Sequence, residues 1–528
     1  MKFFEKIDKT IFGVAVAVYL LIFAFIVCYP AANDVITGIM NYTIYNVGII
    51  YIAAYAFFFV VLLGIAFSRY GKFKLGDPGD KPEFSFMSWI AMLVGAGIGC
   101  GFIFYAVNEP MTHFMTAPYA ESGSAEAARD AIRLTFYHWG FLPWSAYTIT
   151  GLCVAWFVYK RGLPNLISSG FYPMLGDRVS GAPGKLIDAF SLIAVVCGVS
   201  MSVGFAAVQF ASGLKTVYGV PESLWLTFAI VALIALLGTL TAMKGVEKGI
   251  KVVSDINIYL IYFFIAFVLI CGSTVFMLKA TFQGIGDMIA SFPDALFFSD
   301  AYGQTTDHLG FDWVGGWTVF YWAWWVAFAP FTGGFLAKIS RGRSVRQFCL
   351  ACIFVPALIA FVWFGFFGGD ALHLALFRDS DIAQRAVADI DSSLFFYLQE
   401  LPLSSVTVPL GMALIITLIV TSINSGTFMA GEYSMGQNGE PTLGIRAFWG
   451  IFIAVNTCLF ISLGGLDTLK YTAVIFAFPF LILLLLMILN LLKDMKALYR
   501  EEYPEAALEG SAADMAEKGG SETAELME

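Results

Sequence analysis

Long apolar runs alternate with short polar segments along nearly the whole chain. Runs of spanning length fall near residues 10–30, 47–69, 86–117, 131–160, 186–211, 221–243, 254–278, 313–339, 347–371, 404–430, 444–465 and 470–492. A helix needs about 20 predominantly apolar residues to cross a bilayer, so the pattern predicts twelve transmembrane helices in an all-α integral membrane protein. Segments near 163–176, 281–297 and 387–400 are amphipathic and too interrupted to span. The basic residues test this division. With both termini in the cytoplasm, the inner segments hold all but seven of the 30 lysines and arginines, as the positive-inside rule requires.

Composition excludes a soluble enzyme. Of 528 residues, 59% are hydrophobic and 13% charged, and mean hydropathy is +0.78. Soluble domains run at about 45–50% apolar and about 25% charged. The net charge of −9 comes almost wholly from the segment after Arg500, so the body is near neutral and a nucleic-acid partner is not expected. That acidic segment, rich in Glu, Ala, Gly and Ser, is predicted to be disordered. The eight cysteines are scattered through apolar runs, and Cys349 and Cys352 stand one turn apart with no second pair or nearby His; packing is the expected role. Lys2, Lys6 and Lys9 precede an apolar run reaching Tyr29 with no small-residue cleavage site, which predicts a retained first helix.

Two helices carry strong breakers. GAGIGCG places Gly95, Gly97, Gly99 and Gly101 at alternate positions of the third span, ahead of Asn108, Glu109 and Pro110. Each mid-helix Gly costs about 1 kcal/mol relative to Ala, so local unwinding is expected there. In the eighth span Pro330 is followed by Gly333 and Gly334, predicting a second interruption at similar depth. With the first two helices set aside, these spans each begin a block of five, the signature of an inverted repeat with a site at its interface. The expected organisation is a cytoplasmic N-terminus (1–9), two N-terminal helices (10–83), a first five-helix repeat with its connecting amphipathic helix (84–312), a second repeat (313–495) and the tail (496–528). Close helix packing is the competing explanation of the glycines.

The eighth span reads WTVFYWAWWVAFAPF, and the fourth carries Trp139, Trp144 and Tyr147 with Pro143 expected to bend it between them. Tryptophan normally lies in the interfacial belts, so rings running toward mid-membrane are unusual. A quaternary ammonium cannot donate a hydrogen bond and is best held by ring faces, at about 2 kcal/mol or more when desolvated. Aromatic core packing is the plainer alternative. In the tenth span Thr421, Ser422, Asn424 and Ser425 interrupt an apolar helix; their oxygens could join carbonyls freed in the third span to hold an alkali cation, or simply bond back to the preceding turn. Ionisable residues at depth come down to Glu109, His138 and Asp255, which do not form an evident proton relay and so favour Na+ as coupling ion. A phosphate-binding G-x-x-x-x-G-K-[ST] loop, H-E-x-x-H and G-x-S-x-G are all absent from the sequence.

The string WTVFYWAWWVAFAPFTGGFLAKISRGRS strongly resembles the signature of the betaine/choline/carnitine transporter (BCCT) family. GAGIGCG with NEP, HWGFLPWSAY and TSINSG support the likeness across the twelve-helix body. The resemblance implies a LeuT-like 5+5 inverted repeat behind two extra N-terminal helices, a central substrate site and a homotrimer in the bacterial inner membrane. It further implies that Trp139, Trp144, Tyr147 and Trp325 box the trimethylammonium group, with Trp324 and Phe328 along the pathway. Sodium would meet carbonyls around Leu93 and Ala96 and the hydroxyls of Thr421 and Ser422. Three positions depart from relatives: Ala96 replaces a common Met and bears on the headgroup contacts, Asn424 replaces an acid, and Asn257 stands where Na+-independent carnitine exchangers place an Arg. The tail is short and acidic where osmosensing members carry a long basic one. The expected activity is Na+-driven import of a betaine-like onium solute, with no cofactor beyond the ion and no enzymatic step. Na+-independent exchange is the main rival. Glycine betaine, choline, carnitine, a dimethylsulfonium compound and ectoine-type solutes remain open as cargo.

Overall fold

A computed structural model describes residues 6–243 and 246–503; of the tail predicted to be disordered, Glu501 and Glu502 instead continue the last helix and residues 504–528 lie outside the described residues, as do the side chains of Ala96 and residues 242–252. Among the described residues the chain is helical, with one isolated bridge between Lys74 and Ser344. Ten helical segments among the described residues are long and apolar enough to cross a membrane. They differ sharply in burial. The apolar windows of Ala182–Tyr218 and Val314–Ile339 are 94% buried, against 22% for Lys9–Cys28 and Val253–Cys271, so the first pair forms the centre and the second faces the surroundings. The two N-terminal helices brace that centre. Tyr19 donates to the Ile193 carbonyl at 2.8 Å, and Tyr55 donates to the Trp322 carbonyl at 2.7 Å while stacking on its indole at 4.5 Å.

The glycine-rich run unwinds as expected. Helix Phe86–Gly97 ends, Ile98 adopts an extended conformation (φ −85°, ψ 103°), and a new helix runs Gly101–Met115. A second interruption lies elsewhere than predicted. Phe320–Ile339 passes through Pro330 as one helix, and Gly333 and Gly334 serve packing. A Cβ at Gly333 would stand 2.6 Å from Thr150 and 2.9 Å from the Gly151 nitrogen, so helix Phe141–Arg161 approaches too closely for any side chain. The irregularity falls ahead of Phe320 instead, in a π-helical stretch at Val314–Val319. The long segment Leu443–Glu502 is divided at Gly464 and Gly465, the latter at φ +70°, where the sequence separates the last two spans.

The bend in the fourth apolar run is also displaced. Ala125–Trp139 and Phe141–Arg161 are separate helices joined at Gly140, and Pro143 sits within the first turn of the second, where its missing N–H costs nothing. Phe361 would lie 2.9 Å from a Cβ at Gly140, which keeps the corner tight.

Near the corner between Val246–Cys271 and Thr274–Phe297, buried Asp370 accepts from the Ser273 amide (2.6 Å), the Ser273 hydroxyl (2.5 Å) and the Tyr397 hydroxyl (2.9 Å). Asp370→Ala orphans all three donors. Each unsatisfied buried group costs about 1–3 kcal/mol, so a drop of several degrees in the unfolding midpoint is expected, measured by fluorescence-detected melting of the detergent-solubilised protein.

Candidate substrate site

The unwound segment 98–100 leaves backbone facing a cluster of rings. Trp139 closes the end of one helix, and Trp144 and Tyr147 follow on the first turns of the next, across Gly140. Trp324, Trp325 and Phe328 come from Phe320–Ile339. Trp325 is the hub, with ring centroids 4.8 Å from Tyr147, 5.4 Å from Trp144 and 5.8 Å from Trp139. Trp324 lies 5.9 Å from Trp139 and 6.4 Å from Phe328. The structure thus brings together every ring singled out in the sequence.

Rings at these distances touch one another. The cavity among Gly97, Gly99, Trp139, Tyr147, Trp325 and Phe328 has about 20 Å³ of room, on the scale of one water. A group larger than one water enters only as the rings separate. Gly101, Trp324, Phe102, Phe331, Ser202 and Ser422 complete the lining, and of these the sequence pointed to Gly101, Trp324 and Ser422. Ser202 Oγ and the indole N–H groups of Trp144 and Trp325 are buried and have no protein hydrogen-bond partner.

The proposed ion ligands are less uniform. Ser422 lines the cavity and donates back to the Leu418 carbonyl at 3.2 Å. Thr421 donates to the Thr417 carbonyl at 2.9 Å, and its oxygen accepts from the Asn257 amide at 3.0 Å. Leu93 is buried in Phe86–Gly97, whereas the side chain of Ala96 lies outside the described residues. Asn424 is occupied elsewhere: its Oδ1 accepts from buried Arg446, and its Nδ2 donates to Thr241 at 3.3 Å. Arg446 is therefore part of the helix packing.

One correction concerns the ionisable groups. Asp255 is exposed, but Glu109 and His138 meet, joined by His113, which the sequence reading passed over. Glu109 Oε1 accepts from His138 Nδ1 at 2.8 Å, and His113 Nε2 stands 3.4 Å away. Oε2 accepts from Trp139 Nε1 at 2.7 Å and from the Tyr321 hydroxyl. All are fully or almost fully buried. The i, i+4 spacing of Glu109 and His113 was the available signal; the meeting with His138 needed the tertiary fold.

The sequence model of the betaine/carnitine/choline family of transporters matches residues 10–500. The chain belongs to that family. It is therefore a multi-pass membrane transporter and not an enzyme. Among similar proteins, the probable glycine betaine transporter of Desulfitobacterium hafniense (strain Y51) is 36% identical over 93% of this chain and 98% of its own length. The ectoine/hydroxyectoine transporter of Virgibacillus pantothenticus is 37% identical over 85% and 88%, respectively. The high-affinity choline transport protein of Escherichia coli (strain K12) is 34% identical over 86% of this chain and 67% of its own.

Proposed function

We propose that this protein imports a quaternary-ammonium or related onium compatible solute across the bacterial inner membrane by Na+ symport. The observation that carries the reading is the set of three rings around Trp325, contributed by helices on both sides of Gly140 and facing the unwound segment 98–100. Ring faces hold a methylated cation; the unpartnered hydroxyl of Ser202 and indole N–H groups of Trp144 and Trp325 offer donors to a solute carboxylate or hydroxyl. Sodium would tie the broken third span to Ser422 and Thr421, preorganising the box before the loaded carrier rocks between outward and inward states. The solutes for which the similar proteins are named, glycine betaine, ectoine and choline, agree with that chemistry.

The same reading takes the chain as twelve spans with both termini cytoplasmic, in two blocks of five behind two N-terminal helices, and as a homotrimer. The division of Leu443–Glu502 at Gly464–Gly465 and the pairing of Phe86–Gly97 with Gly101–Met115 support the count. The interruption predicted at Pro330 does not, so support for the repeat comes from block length and from the family likeness.

Na+-independent exchange is the second reading, and the Asn257 amide on Thr421 is what favours it, since that donor competes for an oxygen an ion would use. Uptake of labelled glycine betaine into proteoliposomes separates them. Symport predicts accumulation only with an inward Na+ gradient, and Ser422→Ala is expected to raise the Na+ concentration for half-maximal uptake about tenfold. Uptake that depends on preloaded solute and ignores Na+ supports exchange.

A further inference from the structure

Glu109 places a carboxylate directly behind the ring cluster. Trp139 spans the gap: its N–H edge bonds Glu109 Oε2 at 2.7 Å, and its opposite edge, Cη2, would stand 3.3 Å from a Cβ at Gly101 beside the cavity. Tyr321, which donates to the same oxygen, belongs to the helix that carries Trp324 and Trp325.

The donor pattern is that of an ionised acid. An indole N–H can only donate, so Oε2 accepts. Thr318 Oγ1 lies 3.1 Å from His138 Nε2 and can donate there, leaving Nδ1–H for Glu109 Oε1 and a neutral imidazole; the tautomer is assigned from the network. Thr318 reaches this position from the π-helical stretch Val314–Val319. His113 is packed against the Trp317 ring at 4.5 Å, with neither nitrogen in an aligned hydrogen bond. Among the described residues, Glu109 has no lysine or arginine within ion-pair distance. A buried charge without a permanent counter-charge is costly, yet this one is held by three donors and lies one indole away from a site read as cation-binding.

Resting on the substrate reading above, we infer that Glu109 is the fixed counter-charge of the onium site and a positioning residue for Trp139. It acts in two ways. Its hydrogen bond fixes the indole and draws negative charge onto the ring, and its own field favours a cation on the far side. Both effects scale with the net charge of the cargo. Choline, a monocation, gains most. Glycine betaine gains less, because its carboxylate feels the same field with the opposite sign. An uncharged isostere gains nothing.

The test compares dissociation constants of choline, glycine betaine and 3,3-dimethylbutan-1-ol for the purified full-length protein and for Glu109→Gln, by tryptophan fluorescence. The substitution keeps the volume and can keep hydrogen bonds. Choline is expected to weaken about tenfold or more, a 1.4 kcal/mol change per tenfold, glycine betaine less, and the alcohol to stay within twofold. Glu109→Asp should restore most of the difference. Equal weakening of all three would show a purely structural role and overturn the inference, as would unchanged choline binding. Should Glu109→Gln fail to fold, infrared difference spectra of the unaltered protein decide: a carboxylate band that shifts with choline but not with the alcohol supports the inference, and no shift overturns it. Loss of all onium binding in the unaltered protein would overturn the substrate reading and this inference with it.

Discussion

Trp325→Leu is expected to abolish uptake of the solute at micromolar concentration and to weaken its binding at least about thirtyfold. Trp325 touches Tyr147, Trp144 and Trp139 at once, so its loss removes a ring face and also frees the other three. A desolvated ring face is worth about 2 kcal/mol or more to a cation, which alone gives roughly a thirtyfold change. Leucine retains an apolar surface, so the unfolding midpoint should fall far less than binding does. The measurement is labelled uptake together with equilibrium binding, with expression and thermal melting as controls. Uptake retained near the normal rate would show that the solute lodges elsewhere.

The four glycines of GAGIGCG make the second strong prediction, because they should divide two against two. At Gly101 a Cβ would overlap the Trp324 ring, with Cζ2 at 2.8 Å, and crowd Trp139. At Gly97 it would overlap the Trp144 ring, which is enclosed and cannot swing away. Alanine at either position must push an indole out of the cluster, and uptake is expected to fall about a hundredfold; the overpacking itself costs about 1–3 kcal/mol in stability. Gly95 faces open space, and a Cβ at Gly99 would meet only Ser202 Oγ at an ordinary 3.5 Å. Gly95→Ala and Gly99→Ala should therefore transport at near-normal rates. A uniform loss at all four positions would show that backbone freedom in the broken helix matters, and not the seating of rings.

Helices were legible because a spanning segment needs only local apolarity and length, which the sequence displays directly. The break at GAGIGCG was readable for a similar reason, since four alternating glycines weaken a helix wherever it sits. Pro330 misled because a proline's effect depends on its neighbours: packing of Gly333 and Gly334 against Thr150, Gly151 and Met429 holds that helix together. The division at Gly464 and Gly465 was legible, because it falls where the apolar run 444–465 ends. The box residues were visible as residue types; that Trp325 sits at their centre was not.

From sequence alone came membrane residence, the helical class, the ring-forming residues and the likeness to a transporter family, all of which follow from composition, periodicity or contiguous strings. Tertiary structure decided which residues meet: Glu109 with His138 and Trp139, Thr421 with Asn257, Asn424 with Arg446. The reason is physical. Apolarity is a property of a segment and can be read along the chain, whereas a buried polar group takes its meaning from a partner that, in each of these pairs, lies between 22 and 164 residues away.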